Sequence, residues 1–141
     1  MTRRGRPIDD EDERSDARER ALILLYEAES KSVAPSDVVD AQILTPDALT
    51  QTLVRGVEAN GRQIDDLIAT HAKGWTIQRM PTIDRNVLRI GTFELLQRPE
   101  VPVAVVIDEA VELAKRFSTD DSGRFVNGVL AAIAADARAA H

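Results

Sequence analysis

Apolar positions recur at helical spacing along nearly the whole chain. From Ser15 onward, Ala17, Ala21, Leu24, Leu25 and Ala28 fall on one stripe. Asp16 followed by Glu19 fits a capping arrangement for that helix. Lys31-Ser32 interrupts the pattern, and Ala34-Pro35-Ser36 opens a short second helix carrying Val38 and Val39, because proline is pre-set for a first turn. Thr45-Pro46-Asp47 reads as a cap, a first-turn proline and an acid at the positive helix end. Leu49, Leu53, Val57, Ile64, Leu67 and Ile68 continue from it, with a bend or break predicted at Asn60-Gly61. Trp75 to Met80 suggests one helical turn stopped by Pro81. Thr82 can cap the next helix, whose Val87, Leu88, Ile90, Leu95 and Leu96 face more than one side and predict a central position. Pro99 and Pro102 exclude a helix interior there. Val103 to Phe117 is helical again, and Ser122 can cap a last helix with Phe125, Val126, Val129, Leu130 and Ile133. The only strand-like run, 103–107, leads without a turn signal into the helical 108–114. The pattern predicts an all-α fold of about seven helices in two packed helical bundles.

Length and composition narrow the function. The chain has 141 residues, 43% hydrophobic and 30% charged, which suits one soluble domain. Residues 1–13 join a basic arm (Arg3, Arg4, Arg6) to five consecutive acids, Asp9 to Glu13, and are expected to be a disordered arm before a helical domain at 14–141. Those acids stand where a signal peptide would carry its apolar stretch, and no apolar run reaches membrane-spanning length, so a cytoplasmic protein without a membrane role is expected. There is no cysteine, and His71 and His141 are the only histidines. Thiolate chemistry and a histidine-rich metal site are thereby excluded, and no glycine-rich phosphate loop is present. No enzyme activity, cofactor or metal is expected. The net charge of −6 argues against a nucleic-acid coat over the whole surface but permits a local basic patch. Lys31, Lys73 and Lys115 are the only lysines among 18 basic residues, so arginine supplies the rest. Arginine forks suit phosphate and base edges, although codon bias also yields arginine.

Candidate chemistry gathers in two places. On the first helix, Arg18 and Arg20 flank the apolar stripe on opposite sides, and Arg14 precedes Arg18 by one turn. Ile23 and Tyr26 lie on the far face, with Leu22 marginal. These residues fit an RNA-facing arginine edge with Tyr26 available to stack, and equally a solvated face whose arginine stems cover the core margin. Around the last turn stand Phe117, Asp121, Arg124 and Phe125. A phenylalanine there can stack on an unpaired base or pack in the core, and Asp121 can contact a base or cap the last helix. Arg85 and Arg89 are expected to form inter-helix ion pairs with Asp84, Asp108 and Glu109.

The ordered blocks of the chain resemble the NusB family of bacterial transcription antitermination factors. They are Ala17-Arg18-Glu19-Arg20-Ala21-Leu22 with Leu25-Tyr26, Val87-Leu88-Arg89-Ile90 with Glu94-Leu95-Leu96, Val101-Pro102-Val103, Asp108 to Lys115, and Asp121 to Leu130 with its Phe-Val-Asn-Gly-Val-Leu core. The resemblance spans roughly residues 14 to 135. It implies binding to the boxA element of ribosomal RNA leader transcripts, a complex with the ribosomal protein NusE, membership of an antitermination assembly on RNA polymerase, and a monomer or homodimer. It also implies that the first helix and the last turn face RNA, through Arg14, Arg18, Arg20, Tyr26, Phe117, Asp121, Arg124 and Phe125. His71 falls near the same RNA path. Leu22, Ile23 and Tyr26 form the expected partner or dimer surface. Ser15 and Asp16 stand where the family carries more arginine, and the acids at 9–13 are placed to compete with RNA for the arginine edge. Two other readings stay open: a protein-binding scaffold of the same fold, or the detached helical domain of a ribosomal RNA cytosine methyltransferase.

Overall fold

A computed structural model describes residues 10–138. Among them are seven α-helices: α1 (Asp10–Lys31), α2 (Pro35–Asp40), α3 (Ala48–Ala59), α4 (Gly61–His71), α5 (Thr82–Gln97), α6 (Val103–Phe117) and α7 (Asp120–Ala137). A short 3-10 turn, Ile77–Arg79, precedes α5. No strand occurs among the described residues. α1–α3 form one bundle and α4–α7 the other. α5 is the shared central helix, packing on α1, α3, α4, α6 and α7. Its two-sided apolar pattern foretold this position.

Several local expectations give way to better chemistry. α1 begins at Asp10, so residues 10–13 extend the helix instead of belonging to a disordered arm. Acids in a first turn complement the helix dipole. Asp16 is therefore helix interior and not a cap. Residues 1–9 lie outside the described residues. α3 is capped by Asp47, whose carboxylate accepts from the Thr50 N–H at 3.0 Å, and not by Thr45. α7 is capped by Thr119, whose hydroxyl accepts from the Ser122 N–H at 3.0 Å, so Ser122 itself lies one turn inside. Thr82 is the first residue of α5 and makes no side-chain cap. The break at Asn60-Gly61 is present as the junction of α3 and α4.

Two glycines allow close helix approach. A Cβ on Gly56 would collide with the Phe93 ring, and one on Gly91 with the Leu130 side chain. The first brings α3 against α5, and the second brings α7 against the same helix.

The two bundles meet around charge. Arg18 is 2% exposed and Glu94 1%. Arg18 donates from Nε and Nη2 to both oxygens of Glu94, at 2.7 and 2.9 Å, and from Nη1 to Glu109 of α6 at 3.0 Å. Arg98 adds a third donor to Glu94 at 3.0 Å, and Ser15 donates to Glu109. Burial alone would push the guanidinium pKa down, but the hydrogen bonds and charges of Glu94 and Glu109 outweigh it and hold it above its ordinary value. Arg18 therefore does not flank the core as expected. It is inside the core, with its donors spent on carboxylates. Leu22 is also fully buried, which removes it from the proposed partner surface. Both corrections have one cause. α1 is covered by α2, α3 and α5, and its side chains reach α6, so its buried arc is wider than a two-layer helix requires.

A second ion-pair network ties α1 to α4 and α5. Arg85 pairs with Glu29, and Arg89 forks onto Asp65 at 2.9 and 3.1 Å while reaching Glu29 at 3.3 Å. The partners are thus Glu29 and Asp65, not Asp84, Asp108 and Glu109. Glu29 is partly buried, which would raise its pKa, yet the Arg85 contact brings it below the usual carboxylate range. Beyond the end of α5, Arg138 donates to the carbonyls of Glu94, Leu95, Arg98 and Val101 and so satisfies acceptors that a helix terminus leaves open.

Removing one partner of the buried pair strands the other charge. Arg18→Ala is expected to lower the free energy of unfolding by about 3–5 kcal/mol in urea titration. A loss below about 1 kcal/mol would show that Glu94 is not held by this pair.

Candidate nucleic-acid interface

The expected arginine edge on α1 is divided. Arg14 is exposed, Arg18 is buried, and Arg20 is exposed but turned the other way, where it donates to Gln42 beyond α2 at 2.8 Å. Tyr26 and Ile23 remain roughly half-exposed on the outer face. The side of α1 toward α6 carries Glu19, which accepts from Arg116 at 2.9 Å. Arg116 also lies over the Phe117 ring, 5.1 Å from its centre, a cation–π arrangement that keeps this ring at the surface.

Phe117 ends α6, and only Ser118 and Thr119 separate it from α7. The Thr119 cap sets the first turn of α7. Asp121, exposed on that turn, pairs with Arg124 one turn on. Phe125 is half-buried and meets Trp75 with ring centres 6.1 Å apart and planes inclined by 60°. Phe117, Asp121, Arg124 and Phe125 are thus brought to one turn, as their sequence spacing suggested. Beside it opens a slot of about 210 Å³ between Trp75, Met80, Pro81, Asp84, Ser122 and Phe125. Asp84 Oδ2 accepts from the Ser122 hydroxyl at 2.9 Å, which fastens α7 to the start of α5.

His71 is not part of this turn. It closes the end of α4 onto the far end of α7, about three helical turns from Phe125. Nδ1 lies 2.8 Å from the Leu67 carbonyl and Nε2 2.6 Å from Asp136. Both partners are acceptors, so both contacts are hydrogen bonds only when the ring carries two protons. The Leu67 carbonyl first, and then Asp136, raise the His71 pKa above its ordinary value, against a small opposing effect of Lys73.

Three residues at this surface escaped the reading of the sequence: Trp75, Asp84 and Arg116. A lone tryptophan in a polar stretch before Pro81 was an available signal, since a core ring would have had apolar neighbours at helical spacing. Nothing in the sequence pattern distinguished Arg116 or Asp84 from ordinary surface charge. Among the described residues, no group of three or more His, Asp or Glu side chains is placed to hold a metal ion. No described helix is long and apolar enough to cross a membrane.

A family model described as the NusB family matches residues 15–135. The transcription antitermination protein NusB of Saccharopolyspora erythraea is 52% identical over 127 residues, 86% of each chain. Among solved structures, T. maritima NusB superposes with a TM-score of 0.77 at 34% identity, covering 86% of this chain and 89% of that one. A chain from a complex of the antitermination factors NusB and NusE with double-stranded RNA gives 0.74 at 28% identity, covering 87% and 96%. The solution structure of NusB from Aquifex aeolicus gives 0.71 at 32% identity, covering 85% and 86%.

The His71 contact has a defined pH signature. Its folded pKa is raised, so its stabilising contribution is complete below the unfolded value of about 6.5 and is lost as pH rises through the folded pKa. Asp136→Asn should shift the His71 imidazole titration, followed by NMR, downward. An unmoved titration would show that Asp136 does not hold the second proton.

Proposed function

The chain belongs to the NusB family, and from that membership we propose that it acts as a transcription antitermination factor. In this reading it binds the boxA element of ribosomal RNA leader transcripts together with NusE, within an antitermination assembly on RNA polymerase in the cytoplasm, and without catalysing a reaction. The observation that carries the RNA part is the turn between α6 and α7. There two surface aromatic rings, an arginine stacked on one of them and a second exposed arginine converge within a stretch of ten residues, 116–125. Stacking rings with nearby cations are what unpaired RNA bases and their phosphates require. The similar fold of a chain solved with NusE and double-stranded RNA supports both partners. Arg14 joins this surface as an exposed cation, whereas Arg18 acts by holding α1 in place.

The outer face of α1 suits a protein partner. Ile23 and Tyr26 are exposed there, and Arg20, one turn before Ile23, fixes the loop that presents Ile43 and Leu44 fully to solvent. NusE or a second copy of the chain covers this apolar area in the proposed assembly.

Fluorescence anisotropy with boxA RNA, with and without NusE, tests the RNA reading. Phe117→Ala and Arg116→Ala are each expected to weaken binding by about 1–2 kcal/mol, and Arg116→Ala should also flatten the salt dependence. Unchanged affinities in both variants would move the RNA surface elsewhere. Separately, Ile23→Glu should abolish NusE binding or self-association in sedimentation. If neither changes, the partner surface is not on α1.

A further inference from the structure

Asp84 leaves a demand unmet. It is 4% exposed, its Oδ2 is engaged by Ser122, and its Oδ1 is buried without a hydrogen-bond partner. Buried polar atoms in folded proteins almost always have a partner, and a stranded carboxylate oxygen is costly. Asp84 is also part of the wall of the slot beside Trp75 and Phe125. The group that would satisfy it is a hydrogen-bond donor entering that slot.

Three features define the occupant. The volume of about 210 Å³ admits one heterocycle and not a base pair. The rings of Trp75 and Phe125 already touch at 60°, so nothing flat slides between them, and they form a corner instead. A planar ring can lie on the exposed face of Trp75, which is 50% accessible. Finally, Asp84 in the wall and Asp121 at the rim repel phosphate, so the slot favours the neutral base over the backbone.

We propose that this slot receives one unpaired RNA base bearing an exocyclic amino group, stacked on Trp75 and donating that amino N–H to Asp84 Oδ1. The proposal rests on the RNA-binding reading and adds what the slot selects. Cytosine and uracil separate the two elements cleanly. Both are single rings that stack alike, but cytosine presents an amino group where uracil presents a carbonyl oxygen. A carboxylate accepts from the first and repels the second. Asp84 is in this sense a specificity-determining residue, and Trp75 supplies the platform.

Trp75 is the only tryptophan in the chain, so its fluorescence reports on the slot directly. The experiment titrates the full chain, at low salt of about 50 mM, with end-labelled oligocytidylate and oligouridylate of about twelve nucleotides. It follows both label anisotropy and Trp75 emission. Oligocytidylate is expected to quench Trp75 and to bind roughly tenfold more tightly than oligouridylate. Asp84→Asn keeps an acceptor for Ser122 and supplies a donor in place of the free oxygen, so the preference should shrink to about twofold or less. Trp75→Leu, a change at a half-exposed ring, should lower oligocytidylate affinity by about fivefold or more, whatever the stability of the Asp84 variant. A rise in anisotropy with unchanged Trp75 emission would overturn the slot while leaving RNA binding intact. Equal affinity for the two strands, or an undiminished preference in Asp84→Asn, would overturn the role of Asp84. No rise in anisotropy with either strand or with boxA RNA plus NusE would overturn the RNA reading and this proposal with it.

Discussion

A guanidinium held inside the molecule organises everything else in it. Arg18 and Glu94 are both removed from water, and neither could remain there charged without the other. Their fork-to-fork contact fixes α1 against α5 in one orientation, since the planar guanidinium meets both carboxylate oxygens only along one direction. Glu109 brings α6 to the same point, and Arg98 completes the acceptors of Glu94. An apolar contact of similar size would bury comparable surface but would tolerate sliding. The charged one sets the register among three helices that belong to different bundles.

That register decides where the candidate site lies. α5 begins with Asp84, which holds the first turn of α7 through Ser122, and ends among the carbonyls collected by Arg138. The helix that carries the buried pair is thus anchored at both ends to α7 or to the residue that follows it. Arg116, Phe117, Arg124 and Phe125 are surface residues on elements whose positions are set by buried ones. Tight α5–α7 packing at Gly91 and Leu130 gives this arrangement little room to relax.

The fold was largely legible in the sequence, because helix periodicity and proline stops are local signals. The central position of α5 was legible too, from apolar residues on more than one face. The misreadings share a physical origin. Caps at Asp47 and Thr119 depend on which of several adjacent oxygens reaches a free N–H, and spacing alone leaves neighbours equivalent. Arg18 was read as surface because arginine is usually exposed, and its burial depends on Glu94 and Glu109, 76 and 91 residues away. Of the site, the segment from Phe117 to Phe125 was visible because its residues are close in the chain. Trp75 and Asp84 come from another part of the sequence, and only the packing of α5 on α7 brings them there.

The separation between a buried arginine that shapes the fold and surface residues that meet RNA can be tested in one variant. Replacing Arg18 and Glu94 together with methionine removes both charges and keeps most of the volume, a change that buried ion pairs often tolerate. With the variant shown to be folded, its affinity for boxA RNA in the presence of NusE should lie within about twofold of the parent, because neither side chain touches RNA. A folded double variant that loses binding tenfold or more, at about 1.4 kcal/mol per decade, would mean that Arg18 itself contacts the nucleic acid and that its buried position is not the one used in the complex.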